Sequence, residues 1–193
     1  LENVGKTVTY LPVSSPTRPS HVEAVSTLVE EIEAGEVSTL LILGGNPVYN
    51  APADLSFKKA LESVETTIHL SLYRDETSRS CTWHLPRTHF LESWGDVRSR
   101  DGTRSIVQPM IAPLRNGRSL GECLGSIARS VAAEETPVVP PQESIRESIR
   151  SAAPEGFSWQ ATLRDGLVAG LGGVAKPVAV KAGPPLPEEL PEE

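Results

Sequence analysis

Cysteine is scarce in this chain: Cys81 and Cys123 are the only two among 193 residues. A pair cannot build a disulfide framework, and neither lies at metal-ligand spacing, so cluster-binding and haem-attachment motifs are missing as well. Both read as small thiols, buried or half-buried, the usual condition of free cysteine. Aromatic residues make up 5% of the chain and hydrophobic residues only 38%. Basic residues are outnumbered, 18 Lys and Arg against 25 Asp and Glu, for a net charge of −7. That balance speaks against a nucleic-acid surface, because phosphate recognition needs a basic face. No apolar run approaches the roughly 18 residues that span a bilayer. No signal peptide opens the chain; "LENVGKTVTYL" reads as the lead into a strand, and we expect a soluble piece excised from a longer protein.

What the chain has in quantity is proline and glycine, 17 and 15 residues. That mixture suits one compact α/β core with extended appendages. The β-branched run 6–11 reads as a first strand. Ser20 followed by Glu23 is a capping-box pattern, and Val22, Val25, Leu28, Val29 and Ile32 then share a helical stripe over 20–34, with Gly35 at the C-cap. Strands follow at 38–43, 66–72 and 82–86, with a short helix around 55–63 and helical turns led by Asp75 between them. Strands alternating with helices predict a doubly wound, mainly parallel sheet. Helix 119–132 closes this first domain, which we place at 1–133. Beyond it we expect a Pro-rich linker at 134–142, a helical extension at 143–170 and a disordered tail at 171–193.

Segment 87–118 reads as irregular. Its recurring apolar residues (Phe90, Leu91, Trp94, Val97, Ile106, Val107, Met110 and Ile111) predict an ordered wrap over the carboxyl-end rim of the sheet, with about half of them buried.

The chemistry candidates start with "LLILGGNP", where an apolar strand ends at Gly44-Gly45-Asn46-Pro47. Glycines at such a point let backbone N–H groups approach a phosphate or a polar ring edge. The loop is neither GxGxxG nor GxxxxGK[ST], so the dinucleotide and P-loop readings fail, and a plain turn is the competing reading. In a turn, Asn46 is expected to serve the protein's own backbone and to tolerate a left-handed conformation. His84 and His89, with Glu92 and Asp96 near, invite a metal, but Pro86 between them and the absence of HExxH favour packed, hydrogen-bonded histidines. Asp75 and Glu76 are a possible acid pair, more simply read as helix N-terminal carboxylates. Ser80, Cys81 and His84 lie close in sequence without a strand–elbow–helix setting, so catalysis by this chain alone is not expected.

"LLILGGNP", "HLSLYRDETSRSCTWHLP" and "FLESWGDVRSRDG" occur in the order and spacing of the molybdopterin oxidoreductases. Over roughly residues 4–170 the chain more closely resembles one divergent branch, the iron–sulfur, molybdopterin-like subunit of bacterial alternative complex III. "GGNPVYNAPADLSF", "WHLPRTHFLESWGD", "DGTRSIVQPMIAPL" and "LRDGLVAG" carry that likeness. The resemblance implies the superfamily's doubly wound third domain, in which Gly44, Gly45, Asn46, Pro47, Glu76 and Thr77 match positions that approach a pterin-guanine dinucleotide. The residues that shape the backbone are kept: Gly44, Asn46, Pro47, Pro86, Gly95 and Gly102. Ser71 stands where the enzymes carry an acid, and the stretches at 95–99 and 101–103 also depart from them.

The implied role is a scaffold domain of a respiratory quinol:electron-acceptor oxidoreductase, with those six positions a vestigial site and no cofactor in this fragment. The resemblance puts the iron–sulfur clusters in another lobe of the parent. It puts the parent at the periplasmic face of a membrane, against other subunits of the complex. The alternative is the cofactor-binding domain of an active molybdopterin bis-guanine dinucleotide oxidoreductase.

Overall fold

The computed structural model describes residues 3–11, 19–132 and 139–172. Helix α1, His21–Glu33, starts as its capping box demands: Ser20 Oγ accepts from Glu23 N at 3.2 Å, and the Glu23 carboxylate accepts from Ser20 N at 3.4 Å. Strand β1, Thr39–Ile42, follows, then the one-turn α2, Pro47–Asn50, and α3, Phe57–Ser63. Strand β2 is Thr66–Ser71, α4 is Glu76–Ser80 and β3 is Trp83–Pro86. The three strands form a parallel sheet in the order β1-β2-β3, with Leu41 opposite Ile68 and Ile68 opposite Trp83. The chain is therefore mixed α/β, with a small parallel sheet at its centre.

Side chains alternate across a strand, so Leu40 and Ile42 share one face of the sheet. They pack there with Val29 and Ile32 of α1 and Phe57, Ala60 and Leu61 of α3, forming the first core. The register puts Thr67 and His69 on the same face, toward α4.

The expected first strand, 6–11, is corrected by the structure. Residues 3–8 close a local turn, with Val8 N donating to Asn3 O and Gly5 N to Val8 O, and Gly5 takes φ +83°. A glycine that turns the chain back on itself within a few residues prevents the extended run that β-branched neighbours would favour.

Segment 87–118 is corrected as well. It holds an antiparallel hairpin of β4, Gly95–Arg98, and β5, Arg104–Val107. Of its eight apolar residues only Ile106 is buried, while Phe90, Leu91, Val97, Met110 and Ile111 are exposed. The hairpin packs on later chain: α6, Pro141–Ala152, and α7, Trp159–Asp165. Ile106, Ile149 and Val168 form a second core there, flanked by Trp94, Phe157 and Trp159. Ile106 N donates to Gly166 O at 3.0 Å and Val168 N to Arg104 O at 2.9 Å.

Helix α5, Leu120–Ala132, forms where expected, behind a second reciprocal cap between Ser119 and Glu122. It buries none of its residues, so the expectation that its stripe packs on the sheet is overturned. Helix α6 starts at Pro141, inside the run read as linker. Most of that run, and the tail from 173 on, lie outside the described residues.

Candidate functional site

The carboxyl ends of β1, β2 and β3 converge on the Gly-Gly-Asn-Pro loop. Leaving β1, the chain takes φ +90° at Gly44 and +75° at Gly45, the left-handed region that glycine occupies without strain. A Cβ on Gly44 would stand 3.0 Å from Arg87 Nη1, so the missing side chain also makes room for that guanidinium. Asn46 is not called on to take the left-handed form it could tolerate. Its φ of −139° and ψ of 67° turn the side chain across to the next crossover instead of capping α2, which begins at Pro47.

Asn46 Oδ1 accepts from Thr77 N at 3.3 Å and from Thr77 Oγ1 at 2.7 Å, and its Nδ2 donates to Glu76 Oε2 at 2.7 Å. Thr77 Oγ1 in turn accepts from Val48 N at 3.0 Å. One amide therefore ties the loop after β1 to the first turn of α4. The oxygen meets main chain as expected, while the NH2 meets a carboxylate. Asn46 holds the exposed Glu76 carboxyl below its usual range by hydrogen bonding.

A second tie lies beneath the first. His69, on the middle strand, is fully buried. Its Nε2 lies 3.1 Å from Gly45 O and its Nδ1 2.8 Å from Ser78 Oγ. A carbonyl only accepts, so Nε2 carries a proton, while the single Ser78 hydroxyl proton can go to Nδ1 or to Tyr73 O but not to both. The Ser78 hydroxyl also faces Tyr73 O at 3.1 Å. Asp75 caps α4 by accepting from Ser78 N at 2.9 Å, and its carboxylate lies 3.6 Å from His69 Nδ1.

Burial pushes the His69 pKa down, and this outweighs the upward pull of Asp75 and the Gly45 carbonyl. Burial pushes Asp75 up, but its bonds from Ser78 and its closeness to His69 bring it below the ordinary carboxylate value on balance. Ser78 is 3% exposed, so the Ser78–His69 pair offers no hydroxyl for attack on a substrate. Its chemistry is that of a latch.

The structure thus joins Asn46, Glu76 and Thr77 directly, sets Gly45 on His69 and Gly44 beside Arg87, and gives Pro47 the start of α2. Asp75 and Glu76 take the helix-terminal roles expected of them. Among the other candidates, His84 Nδ1 is buried without a hydrogen-bond partner among the described residues, and the ring of His89 lies 4.1 Å from that of Phe90. Glu92 accepts from His89 N and Leu114 N, which lowers its carboxyl pKa, while Asp96 lies 3.8 Å from Arg104 Nε. Burial raises the pKa of the Cys81 thiol. Sequence reasoning missed His69, Ser78 and Arg87. The one available signal was a histidine inside the apolar strand "TTIHLSL", a polar residue that needs partners once buried.

No family model matches this chain, and no curated protein is found to be similar to it.

Proposed function

We propose that this chain is a molybdopterin-oxidoreductase-like scaffold domain from the iron–sulfur subunit of a quinol-oxidising respiratory assembly of the alternative complex III type. Its Gly-Gly-Asn-Pro loop holds the fold together and reads no cofactor. The observation that carries this is the Asn46 amide, whose oxygen accepts twice from Thr77 and whose nitrogen donates to Glu76. A pterin-guanine dinucleotide fits these residues poorly. To read it, Asn46 would have to release both partners, and the space beside Gly44 holds the Arg87 guanidinium. No chemical step is therefore assigned to this domain.

In this reading the doubly wound sheet is completed by the rest of the parent chain. The parent's clusters belong to another lobe, and its neighbours are other subunits at a membrane. A site can lose its ligand while the fold around it persists. Calorimetric titration with GDP, standing in for the nucleotide half of the cofactor, tests the proposal. The expected outcome is no saturable heat into the millimolar range. Micromolar binding that Asn46→Ala abolishes would instead support the cofactor-binding domain of an active molybdopterin oxidoreductase.

A further inference from the structure

We infer that the apolar surface formed by Phe90, Leu91, Met110, Ile111 and Leu114 is a docking site for the chain's own acidic segment 184–193, "PPLPEELPEE". Backbone bonds hold the two halves of this surface together. Leu91 O accepts from Met110 N at 2.8 Å and from Ile111 N at 3.1 Å, and Glu92 Oε1 accepts from Leu114 N at 3.1 Å. The described residues leave all five side chains exposed, Met110 at 77%. Together they open on the order of 500 Å² of apolar area, toward the upper end of what a monomer carries uncovered.

The charges beside this surface set the sign of its occupant. Residues 87–95 and 108–118 hold three arginines and one acid, in a chain whose net charge is −7. That acid, Glu92, has both oxygens taken by backbone N–H groups, of His89 at 2.8 Å and of Leu114. Arg87 reaches toward Gly44. Arg115 and Arg118, which follow Leu114, are exposed and have no carboxylate partner among the described residues. An apolar surface flanked by unpaired guanidinium groups calls for an apolar, acidic partner. Segment 184–193 has that chemistry: Leu186 and Leu190 accompany four glutamates, with no basic residue. Its prolines limit the conformational entropy lost on docking.

Size and reach decide for this segment over a separate molecule. A stable complex between two proteins buries about 800 Å² on each partner, more than this surface offers. A tethered segment needs less, because its tether holds it at a millimolar effective concentration. Gly172, the last described residue before it, lies against the hairpin: a Cβ there would stand 4.0 Å from Thr103 Oγ1. From Thr103 the chain runs through β5 to Met110, a path of at most about 24 Å. Residues 173–183, the tether, extend to about 35 Å.

Met110 is the only methionine, so its oxidation by hydrogen peroxide in the full chain, followed by peptide mass, reports the cover. Leu186→Ser with Leu190→Ser should speed that oxidation about fivefold, the ratio for an effective concentration a few times the dissociation constant of the untethered segment. Arg115→Glu with Arg118→Glu should speed it similarly. Adding Glu188→Arg and Glu189→Arg to that variant should restore the slow rate. Val131→Ser, on α5, should leave the rate unchanged, and circular dichroism checks that each variant folds. The inference is overturned if the two leucine substitutions leave the rate as it was, or if the paired charge reversal restores nothing. It is equally overturned if Val131→Ser speeds oxidation as much, or if protection grows with protein concentration, which would make the cover a second copy.

Discussion

Asn46 and His69 hold the same loop by different means. Asn46 does so at a partly open surface with an amide that is always neutral, whereas His69 lies in the core and can gain a charge. Because burial lowers the folded-state pKa of His69 below its ordinary 6.5, the unfolded chain takes up a proton first as pH falls. Stability then declines as pH drops below about 6.5 and stops declining below the folded pKa. Urea midpoints measured at pH 7.5 and 5.5 should fall in that order, and His69→Gln should flatten the difference. An unchanged slope in that variant would remove His69 from the account. Asp75 shifts downward, so its contribution is present above its unfolded value near 3.8 and is lost at more acidic pH, outside this window. The loop was legible in sequence as glycines after an apolar run. Its partners were not, because Thr77 and Ser78 lie 31 and 9 positions from the residues they bond.

Elements were most legible where the signal was local. The capping box of α1 needs only Ser20 and Glu23, and it forms as written. The β4–β5 hairpin carried a local signal as well, an Asp-Gly pair between two short β-capable runs, but the many charges around it read as irregular loop. Asp101 accepts from Thr103 N at 3.0 Å and from the Ser99 and Thr103 hydroxyls, and Gly102 takes φ +87°. Replacing Gly102 by Ala forces a Cβ into the left-handed region and should cost about 1–2 kcal/mol. Chemical denaturation measures that loss. A variant as stable as the parent would show that the turn relaxes without strain. The run at 6–11 failed for the opposite reason: strand propensity describes a half-buried pleated surface, and these residues pair with none of the strands among the described residues.

For the whole molecule, the two cores divide the chain in an order sequence did not suggest. The first is built from α1, β1 and α3, while the second joins a hairpin near the middle of the chain to helices that follow residue 140. Trp94 belongs to the second, with its ring 6.4 Å from that of Trp159. Trp94→Ala should destabilise by about 2–3 kcal/mol, toward the low end for a large aromatic because Trp94 is half-buried. The loss should fall on the hairpin, α6 and α7, read as faster amide exchange there than in α1 and β2. Equal acceleration in both regions would mean that the two cores unfold as one.

Sequence by itself determined what depends on neighbours a few residues apart: the capped start of α1, three short strands with their order of appearance, and the left-handed glycines that end β1. Tertiary structure alone decided which distant hydroxyl reads Asn46, that His69 becomes a buried latch, and that the hairpin packs with α6 and α7. It also left the apolar stripe of α5 facing a cleft, although periodicity had promised it to the sheet. The reason is physical. Caps and turns are set by bonds within one turn of chain, whereas burial is set by whichever apolar faces the whole chain can bring together. A hydrophobic stripe states a need for cover without naming what supplies it.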